Sequence, residues 1–414
     1  MGRRDRYDTR RVLMSVGLAA ACTLGFSSEA LAQSGGLALT EDGGPINGTA
    51  QAGSAAVARD AQTAWLNPAG MVRLDKIEVM VSAMPFLLQF DFNQSPSTTT
   101  PGTGGGDQGA WFPGGALYLA APMNDNVSLG FSITSPAGLG LDPDNPWVGR
   151  YFMTKLQMAV VNFEPSLGIK INDQWSVGGG MDVQYAIFKQ ELAAPTPGPA
   201  PDGAASIDGD SWNVGFSLST MWQPSEKTRF GARYRSEINH NLSGDLTLID
   251  ARPITSGLTI PRSLTFSGYH DINEQWAIMG DLGWQDWSSF DRTTITFDGT
   301  GTQVEIPRNV KDTFTVSAGA HYRPHEDWLV MFGTGYTSSA VSDADRTPDM
   351  PVDEQFRVAA GLEWDINEQW RLGANYTFLW LGENKINQTQ PTGSVVGDYD
   401  TAAHLFGLYA SIRF

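Results

Sequence analysis

Apolar and polar residues alternate with a period of two in many segments of this chain. In residues 229–235, aromatic or apolar side chains stand at even positions, and arginines or glycine stand at odd positions. The same alternation recurs at 212–219, 313–323 and 371–380. This period is typical of β-strands whose two faces meet different surroundings. The pattern predicts an all-β chain with one apolar and one polar face on each strand.

Short turns with a central acidic residue join these strands in pairs. The central acids lie 42–53 residues apart, and four of the turns are followed directly by a Trp. Longer polar segments, such as 193–206 and 384–401, alternate with the tight turns. The count predicts fourteen strands, an even number, near 75–91, 112–121, 127–134, 156–171, 175–192, 207–222, 228–249, 261–272, 276–298, 303–323, 328–340, 353–366, 370–383 and 402–414.

Two architectures have a repeat of this length, a β-propeller and a transmembrane β-barrel. Propeller blades pack on both faces and would not keep one polar face on every strand. A barrel in lipid closes on itself to satisfy its backbone groups and shows an apolar band outside. The Trp residues that follow the turns suit an aromatic girdle at a membrane interface. The pattern therefore predicts a transmembrane antiparallel β-barrel of about 14 strands.

Both ends of the chain support export to an outer membrane. Five arginines precede an apolar run from Val12 to about Phe26, and Ala30-Leu31-Ala32 offers small residues for cleavage. This predicts a signal peptide over 1–32. The chain ends in alternating apolar residues and Phe414, which resembles the insertion signal read by the barrel assembly machinery. We expect a bacterial outer-membrane protein and a monomer.

Composition and charge exclude several classes of function. Of 414 residues only 17% are charged, the net charge is −18, and there is one Cys. Without a basic run, nucleic-acid binding is excluded. One Cys excludes a disulfide scaffold and a Cys-based metal site. We expect no cofactor and no metal, since Asp142-Pro143-Asp144-Asn145 lacks the Gly and distal Glu of a full Ca²⁺ loop.

Residues 33–74 do not alternate and are rich in Gly, Ala, Asp and Thr. A fourteen-stranded lumen is wide enough to need obstruction. The sequence therefore predicts an N-terminal hatch (plug) over 33–74, inside a barrel formed by 75–414. A loose periplasmic tail is the alternative.

A family resemblance is carried by this N-terminal stretch. Gly53-Ser54-Ala55-Ala56, followed by residues 60–70 with the motif Asn67-Pro68-Ala69-Gly70, resembles the hatch signature of the FadL/TodX family. Further similar segments are 147–151, 165–168, 234–236, 261–263, 284–290 and 346–351. The resemblance implies an outer-membrane transporter for long-chain fatty acids or other hydrophobic compounds. It also implies capture at the outer loops, passive passage past the hatch, and exit sideways through the barrel wall.

Candidate ligand-binding residues lie in the segment 135–155. Apolar residues gathered in a loop suggest a binding patch, and Arg150 and Lys155 are candidates to pair with a carboxylate. The alternatives are packing of the loop on the barrel, loop salt bridges, and contact with lipopolysaccharide phosphate. The candidates are Leu139, Leu141, Trp147, Arg150, Tyr151, Phe152, Met153 and Lys155.

The strand near 156–171 contains an irregularity. Apolar residues have even parity up to Val160 and odd parity from Leu167, with the change between Asn162 and Pro165. A parity flip needs one extra residue, and proline cannot donate a ladder hydrogen bond. We predict a wall kink at Asn162 and Pro165, either as a lateral opening or as a bulge that only shapes the barrel.

The inward parity collects charged residues of both signs. We expect them to form a lumen network that holds the hatch, because charge is tolerated in the lumen but not toward lipid. The predicted members are Arg229, Arg233, Arg235, Arg357, Arg371, Arg413, Asp182, Asp281, Glu363 and Asp365.

Three other functions are weighed against fatty-acid uptake. An aromatic-hydrocarbon channel of the same fold remains open. An outer-membrane hydrolase would need a Ser and a His within reach, and no nucleophile signature accompanies the five His residues. An open porin is disfavoured by the plug-like N-terminus. We therefore expect no enzymatic activity.

Overall fold

The structure is a computed structural model that describes residues 41–196, 201–247, 251–290, 292–351 and 353–414. The predicted signal peptide 1–32 and the first predicted hatch residues, 33–40, lie outside the described residues. The strands are β1 (Glu78–Ala83), β2 (Phe86–Gln94), β3 (Trp111–Phe112), β4 (Gly115–Asn124), β5 (Val127–Leu141), β6 (Lys155–Lys170), β7 (Trp175–Ala194), β8 (Gly203–Ser225), β9 (Thr228–Arg235), β10 (Ile238–Thr247), β11 (Ala251–Ile260), β12 (Ser263–Asp271), β13 (Trp276–Gln285), β14 (Arg292–Phe297), β15 (Thr302–Pro307), β16 (Thr313–His325), β17 (Trp328–Thr337), β18 (Gln355–Asp365), β19 (Trp370–Trp380), β20 (Lys385–Gln390) and β21 (Gly393–Arg413).

The sheet closes on itself in a ring. β1 pairs with β21 on one side and with β4 on the other, and all the pairings are antiparallel. Several spanning strands are interrupted, so that β1 and β2, β3 and β4, β9 and β10, β11 and β12, β13 and β14, β15 and β16, and β19 and β20 each form one strand. The predicted fold class is confirmed as a closed barrel of 14 antiparallel strands. Closure satisfies the backbone of every strand without leaving an open edge in the ring.

The predicted alternation of faces is also confirmed. Phe230 is 46% exposed on the outer surface, whereas its neighbour Arg229 is 5% exposed. Leu372 and Arg371 differ in the same way, at 41% and 5%. The apolar parity therefore faces outward, where lipid replaces water, and the polar parity faces the lumen.

One end of the barrel carries the tight turns and is called the tight-turn end. In three of the turns an Asn side chain shapes the backbone: Oδ1 of Asn172, Asn273 and Asn367 accepts hydrogen bonds of 2.9 Å from the amides two and three residues later. Trp175 and Trp328 follow two of the turns, and each ring stacks on another Trp across its strand pair. The aromatic girdle thus begins where the turn ends.

The opposite end, called the long-loop end, contains more strand than the sequence predicts. β7 and β8 stay paired as far as Ala194 and Gly203. The predicted loop at 384–401 holds β20 and the first part of β21. Outside the apolar band, polar and small residues pair without needing an apolar face, so that alternation does not reveal these strands.

The predicted parity flip in β6 is wrong. Even positions face inward along the whole strand: Leu156 is 5% exposed, and Asn162 and Glu164 are fully buried. Pro165 faces outward with the other odd positions. What changes along β6 is the chemistry of the inward face, from apolar near Leu156 to polar near Glu164. The sequence pattern resembles a change of parity because the inward face of this one strand is apolar in one half and polar in the other.

The bulge lies in the neighbouring strand. Between Thr134 and Ala137 the register of β5 against β6 shifts by one residue, which puts the extra residue at Ser135-Pro136. Against β7, the pairing of β6 resumes in the same register after a gap at Glu164 and Pro165. Pro165 has no N–H to donate. It therefore removes a hydrogen bond from the ladder without shifting the register.

The N-terminal segment, defined as residues 41–74, contains the short helix α1 (Thr63–Leu66) and 3₁₀ helices at Pro45–Thr49 and Pro68–Arg73; a third 3₁₀ helix is Trp287–Phe290. Its hydrogen-bond partners lie on inward faces of strands on opposite sides of the ring, among them Ser176 and Asn375. It therefore lies within the ring of strands. No helix among the described residues has the length and apolar character to cross a membrane.

Candidate binding cavity and the N-terminal segment

The motif Asn67-Pro68-Ala69-Gly70 forms a compact, hydrogen-bonded turn against the barrel wall. Asn67 Oδ1 accepts from the Ala69 amide (3.1 Å), and its Nδ2 donates to the carbonyl oxygens of Ala55 (2.5 Å) and Thr220 (3.2 Å). Pro68 begins a 3₁₀ helix, where its missing N–H costs nothing. A Cβ on Gly70 would lie 2.7 Å from the Cβ of Ala58, so that only glycine fits there.

The wall is adapted to this motif. The Ala69 amide also donates to Ser219 Oγ (3.0 Å), and Ser176 Oγ donates to the Ala69 carbonyl (2.7 Å). Gly178 faces the same place, and a side chain there would overlap the Ala69 amide nitrogen. Serines supply the hydrogen bonds that the irregular backbone needs, and glycines let the two backbones approach.

Charged groups hold the N-terminal segment from several strands. Glu363 contacts Arg59, its Oε1 lies 3.2 Å from Arg371 Nε, and its Oε2 accepts from the Tyr409 hydroxyl (3.0 Å). Arg357 Nη1 lies 2.7 Å from Glu41 Oε1. The lumen network predicted from parity therefore exists and reaches the N-terminal segment.

Two further members of the network bind backbone atoms. Arg229 donates from Nε to the Ala56 carbonyl (2.6 Å) and from Nη2 to the Val57 carbonyl (2.7 Å). Asp281 accepts from the amides of Gly53 (2.6 Å) and Ser54 (3.1 Å). These bonds satisfy backbone groups that have no partner in a helix or a strand.

Glu164 is a central member of the network that the sequence reasoning missed. It is fully buried and accepts from Arg235 Nη2 (2.6 Å), Arg233 Nη2 (3.1 Å) and Ser217 Oγ (2.6 Å). The assumed parity flip at Pro165 obscured its inward direction. Simple even parity through β6 would have found it.

A cavity, called the lumen cavity, lies between the N-terminal segment and the wall. It has roughly 1260 Å³ of empty space, counting the part open to solvent. Trp65 lines it beneath Arg235, whose Cζ lies 3.3 Å from the indole ring centroid. Pro136 of the β5 bulge lines the same space. The irregular part of the wall and the N-terminal segment thus border one cavity.

An apolar cavity, called the outer cavity, lies at the long-loop end. It has roughly 660 Å³ of empty space, counting the part open to solvent. Most of its lining is aliphatic or aromatic, contributed by β5, β6, β7, β8, β10, β11, β14 and β15 and by adjoining loops. The lining residues are Leu139, Leu156, Met158, Phe188, Gln190, Ile207, Leu242, Ser256, Gly257, Leu258, Phe290, Thr293, Ile295, Ile306, Arg308, Asp349 and Met350.

One side of the outer cavity is polar. Arg308 Nη1 lies 3.0 Å from Asp349 Oδ2, and Arg308 Nε donates to Thr293 Oγ1 (3.2 Å). Gln190 Nε2 lies 3.4 Å from the same Asp349 oxygen. Burial raises the pKa of Asp349, but the Arg308 guanidinium and the nearby Thr347 hydroxyl outweigh burial, so that the pKa is lowered overall. Asp349 is therefore ionised at neutral pH.

The predicted capture residues have different positions. Leu139 lines the outer cavity. Leu141, Trp147 and Met153 are almost completely buried in the apolar cluster beside it, and Phe152 packs against that cluster. The Trp147 Nε1–H donates to the Met153 carbonyl (2.7 Å), which closes this loop on itself.

The predicted charged candidates are engaged in loop ion pairs. Arg150 Nε lies 3.0 Å from Asp202 Oδ2, and the Tyr151 hydroxyl donates to the same carboxylate at 3.0 Å. Lys155 Nζ lies 3.4 Å from Asp142 Oδ2. Arg150, Tyr151 and Lys155 are absent from the described residues that line the outer cavity.

Arg308 and Asp349 were not among the predicted ligand-binding residues. They lie in connections whose position over the barrel does not follow from alternation. One available signal was the family-like segment 346–351, which contains Asp349. No group of three or more His, Cys, Asp or Glu in the described ranges is arranged to hold a metal ion.

Comparison with known proteins gives consistent matches over nearly the whole chain. The family model described as outer membrane protein transport protein (OMPP1/FadL/TodX) matches residues 26–414. A long-chain fatty acid transport protein of Salmonella typhi is 26% identical, over 92% of this chain and 95% of that protein. Outer membrane protein P1 of Haemophilus influenzae is 22% identical, over 74% and 76%.

Solved structures show the same fold. A FadL homologue of Pseudomonas aeruginosa superimposes with a TM-score of 0.86 at 21% identity, covering 92% of this chain and all of that one. The toluene transporter TodX of Pseudomonas putida gives a TM-score of 0.66 at 14% identity, covering 86% and 94%.

Proposed function

This chain belongs to the OMPP1/FadL/TodX family of outer-membrane transport proteins, and we propose that it takes up hydrophobic compounds, above all long-chain fatty acids, by passive diffusion. The resemblance noted in its sequence is thereby confirmed, and so is its place in the outer membrane. Relatives named as long-chain fatty acid transport proteins share 24–26% identity over almost their full length. The observation that carries the proposal is the apolar outer cavity at the long-loop end.

Capture takes place in the outer cavity. The hydrocarbon chain of the ligand displaces water from side chains such as Leu139, Met158, Leu242 and Phe290, and burial of apolar area supplies the affinity. Met158 and Met350 adapt their shapes to chains of different length. The neighbouring residues Trp147, Arg150, Tyr151, Phe152, Met153 and Lys155 act indirectly, by holding the loops that close the cavity.

The N-terminal segment acts as the hatch of this transporter. Its contacts with Glu363, Arg357, Arg229 and Asp281 hold it across the lumen, so that an open aqueous channel is blocked. Passage then requires a local movement of this segment, and the ligand moves down its concentration gradient without ATP. The lumen cavity is the space into which the ligand passes.

Exit is lateral, through the wall beside the lumen cavity. The bulge at Ser135-Pro136 interrupts the ladder between β5 and β6, and Pro136 lines the lumen cavity. The unpaired residues at Glu164 and Pro165 weaken the next ladder. An apolar ligand leaves through such a gap into lipid without crossing water.

The remaining partners follow from the same location. The signal peptide 1–32 directs export, the C-terminal Phe414 is read by the barrel assembly machinery, and outer residues contact lipopolysaccharide. The barrel acts as a monomer.

Aromatic hydrocarbons are the second candidate substrate. Structural neighbours include the toluene transporter TodX, and most of the outer-cavity lining is apolar. The hydrolase alternative is disfavoured, since matching family members are named as transporters or channels. We therefore propose no enzymatic activity.

Uptake of labelled oleate and labelled toluene by a strain lacking the protein, with and without the gene restored, tests this function. We expect restored oleate uptake; restoration of toluene uptake alone would favour the hydrocarbon channel, and restoration of neither would contradict the proposal. Phospholipase activity of the purified protein, abolished by serine modification, would favour the hydrolase.

A further inference from the structure

The polar side of the outer cavity holds a pair of opposite charges instead of a lone cation. Among the lining residues that the structure describes, Arg308 is the only cation and Asp349 the only anion. Their side chains are 11% and 9% exposed, and their charged atoms are 3.0 Å apart. The two charges cancel locally, so that an anionic ligand meets no net attraction and also faces the Asp349 carboxylate.

Asp349 has one oxygen that the described residues leave without a partner. Oδ2 accepts a hydrogen bond from Arg308, with Gln190 at 3.4 Å. The buried Oδ1 has no partner of hydrogen-bond geometry among the described residues, and the nearby Thr347 hydroxyl likewise has none. A buried carboxylate oxygen without a donor is unfavourable. A ligand whose head group carries an O–H supplies that donor.

We propose that the outer cavity binds long-chain amphiphiles with an uncharged, hydrogen-bond-donating head group, namely the protonated fatty acid or the corresponding long-chain alcohol. The ligand O–H donates to Asp349, and the carbonyl oxygen of the acid accepts from Arg308 or Gln190. The apolar chain lies along Leu242, Leu258 and their neighbours. This inference rests on the proposed function, because it specifies the ionisation state in which the transported acid is captured.

Binding of the neutral acid has a measurable consequence. A carboxylic acid is ionised in water well above about pH 4.3, so that binding its neutral form takes up one proton from solvent. Affinity then rises as pH falls, by about tenfold for each pH unit. The ligand and Asp349 share one proton, because two adjoining carboxylates resist ionising together.

Other groups near Asp349 do not account for such a pH dependence. Within the described part of the chain, the charged or titratable groups facing it are Arg308 and the phenol of Tyr399, whose hydroxyl donates to Gln108 Oε1 (3.1 Å). Neither arginine nor tyrosine ordinarily titrates between about pH 6 and about pH 8. The alcohol carries no titratable group and provides the internal reference.

Competition by three ligands with the same chain tests the inference on the full mature barrel. Oleic acid, oleyl alcohol and oleyl sulfonate displace a fluorescent long-chain probe at about pH 6 and about pH 8. We expect the alcohol to compete equally at both values, the acid to lose roughly a hundredfold in affinity at the higher pH, and the sulfonate to compete poorly throughout. Competition by the sulfonate as strong as that by the alcohol, or by the acid independently of pH, would mean that an anion displaces Asp349 from Arg308, and would overturn the inference.

Two variants sharpen the result. Asp349→Asn leaves Arg308 as a lone cation, so that the sulfonate should gain at least about tenfold in affinity and the acid should lose its pH dependence. Asp173→Asn, which removes an exposed acid paired with Lys170 at the tight-turn end, should change neither. An Asp349→Asn barrel that folds, as judged by heat-dependent gel mobility, and binds like the wild type would contradict the inference.

The wild-type competition decides the question even if that variant does not fold. The proposed function is judged separately, by uptake in the deletion strain. Intact oleate uptake combined with strong sulfonate binding would reject only the ionisation state, whereas absent uptake of every hydrophobic compound would reject the function itself.

Discussion

The two halves of the lumen differ although the same strands build both. At the tight-turn end, β6 turns Asn162, Glu164 and Ser166 inward against polar partners and the N-terminal segment. Toward the long-loop end, the same face of β6 carries Leu156 and Met158, which line the outer cavity. The inward face of a barrel strand is therefore not polar by rule. Its chemistry follows the surface that it contacts.

The difference has a physical cause. The N-terminal segment has little regular structure, so that its amides and carbonyls need partners from the wall, and serine, asparagine and arginine provide them. The outer cavity has no such backbone to satisfy, and in the proposed function its apolar area supplies the affinity for the ligand. One half stabilises a fixed polypeptide, and the other half leaves an apolar space.

Removing a buried charge from the tight-turn half should have the largest effect. Glu363→Gln leaves Arg59 and Arg371 without their shared carboxylate, and the free energy of unfolding should fall by about 3–5 kcal/mol. Denaturant unfolding of the barrel in lipid vesicles measures it. Glu305→Gln removes an exposed pair with Arg292 and should cost less than about 1 kcal/mol. Equal losses would show that the buried network contributes nothing special.

Crowding the wall against the N-terminal segment should have the next largest effect. In Gly231→Ala the new Cβ would overlap the Ala55 carbonyl oxygen, so that the segment must shift, at a cost of about 1–3 kcal/mol. If this segment is the proposed hatch, ion conductance in planar bilayers should rise because the segment fits the wall less closely. Gly268→Ala, in the neighbouring strand β12, places its Cβ 3.5 Å from the Phe230 ring and should leave conductance unchanged. Conductance that stays at the wild-type level in both variants would argue against a hatch.

Filling the long-loop half should affect uptake and spare the hatch. Leu242→Trp occupies part of the outer cavity, and oleate uptake should fall by about tenfold, which corresponds to about 1.4 kcal/mol of lost binding. Ion conductance should not change. Leu218→Trp adds the same ring on the lipid-facing surface, where Leu218 is 57% exposed, and should transport normally. Normal uptake by Leu242→Trp would place capture elsewhere.

The turn residues should have the smallest effect. Asn367→Ala removes the acceptor for the amides of Gln369 and Trp370, and the barrel should lose about 1 kcal/mol of stability. Uptake and conductance should remain at wild-type values. Glu368→Gln alters the adjacent exposed side chain and leaves these two hydrogen bonds in place, so that an equal loss there would point to charge and not to the Asn acceptor.

Sequence reasoning reached most of the barrel because lipid imposes a simple rule. An outward apolar side chain at every second position, interrupted by turns such as Asn172 to Trp175, is required wherever a strand crosses the apolar band. The same parity identified Arg229, Arg357 and Arg371 as inward residues. Parity failed to predict strands beyond the apolar band, at 193–206 and 384–401. There water contacts both faces of a strand, so that no alternation of apolar and polar residues is required.

The candidate site was less accessible to this reasoning. Exposed apolar residues were expected to bind ligand, yet Trp147 and Met153 are buried as supports for the loop. Glu164 was overlooked because the apolar lining near Leu156 imitates a change of parity. An apolar cavity inside the barrel places apolar side chains on the inward face, whereas lipid places them on the outward face. The order of residues along one strand does not distinguish these two causes.

The amino-acid sequence by itself determined the strand count, the alternation of the faces and the family signature around Asn67, since each depends on local spacing against lipid or on contiguous residues. Tertiary structure alone decided that Arg308 and Asp349 meet, that the extra residue lies at Ser135-Pro136 in β5, and that the inward face of β6 changes its chemistry along its length. These features depend on which distant segments come together across the ring, and the periodicity of residues along the chain carries no information about such long-range contacts.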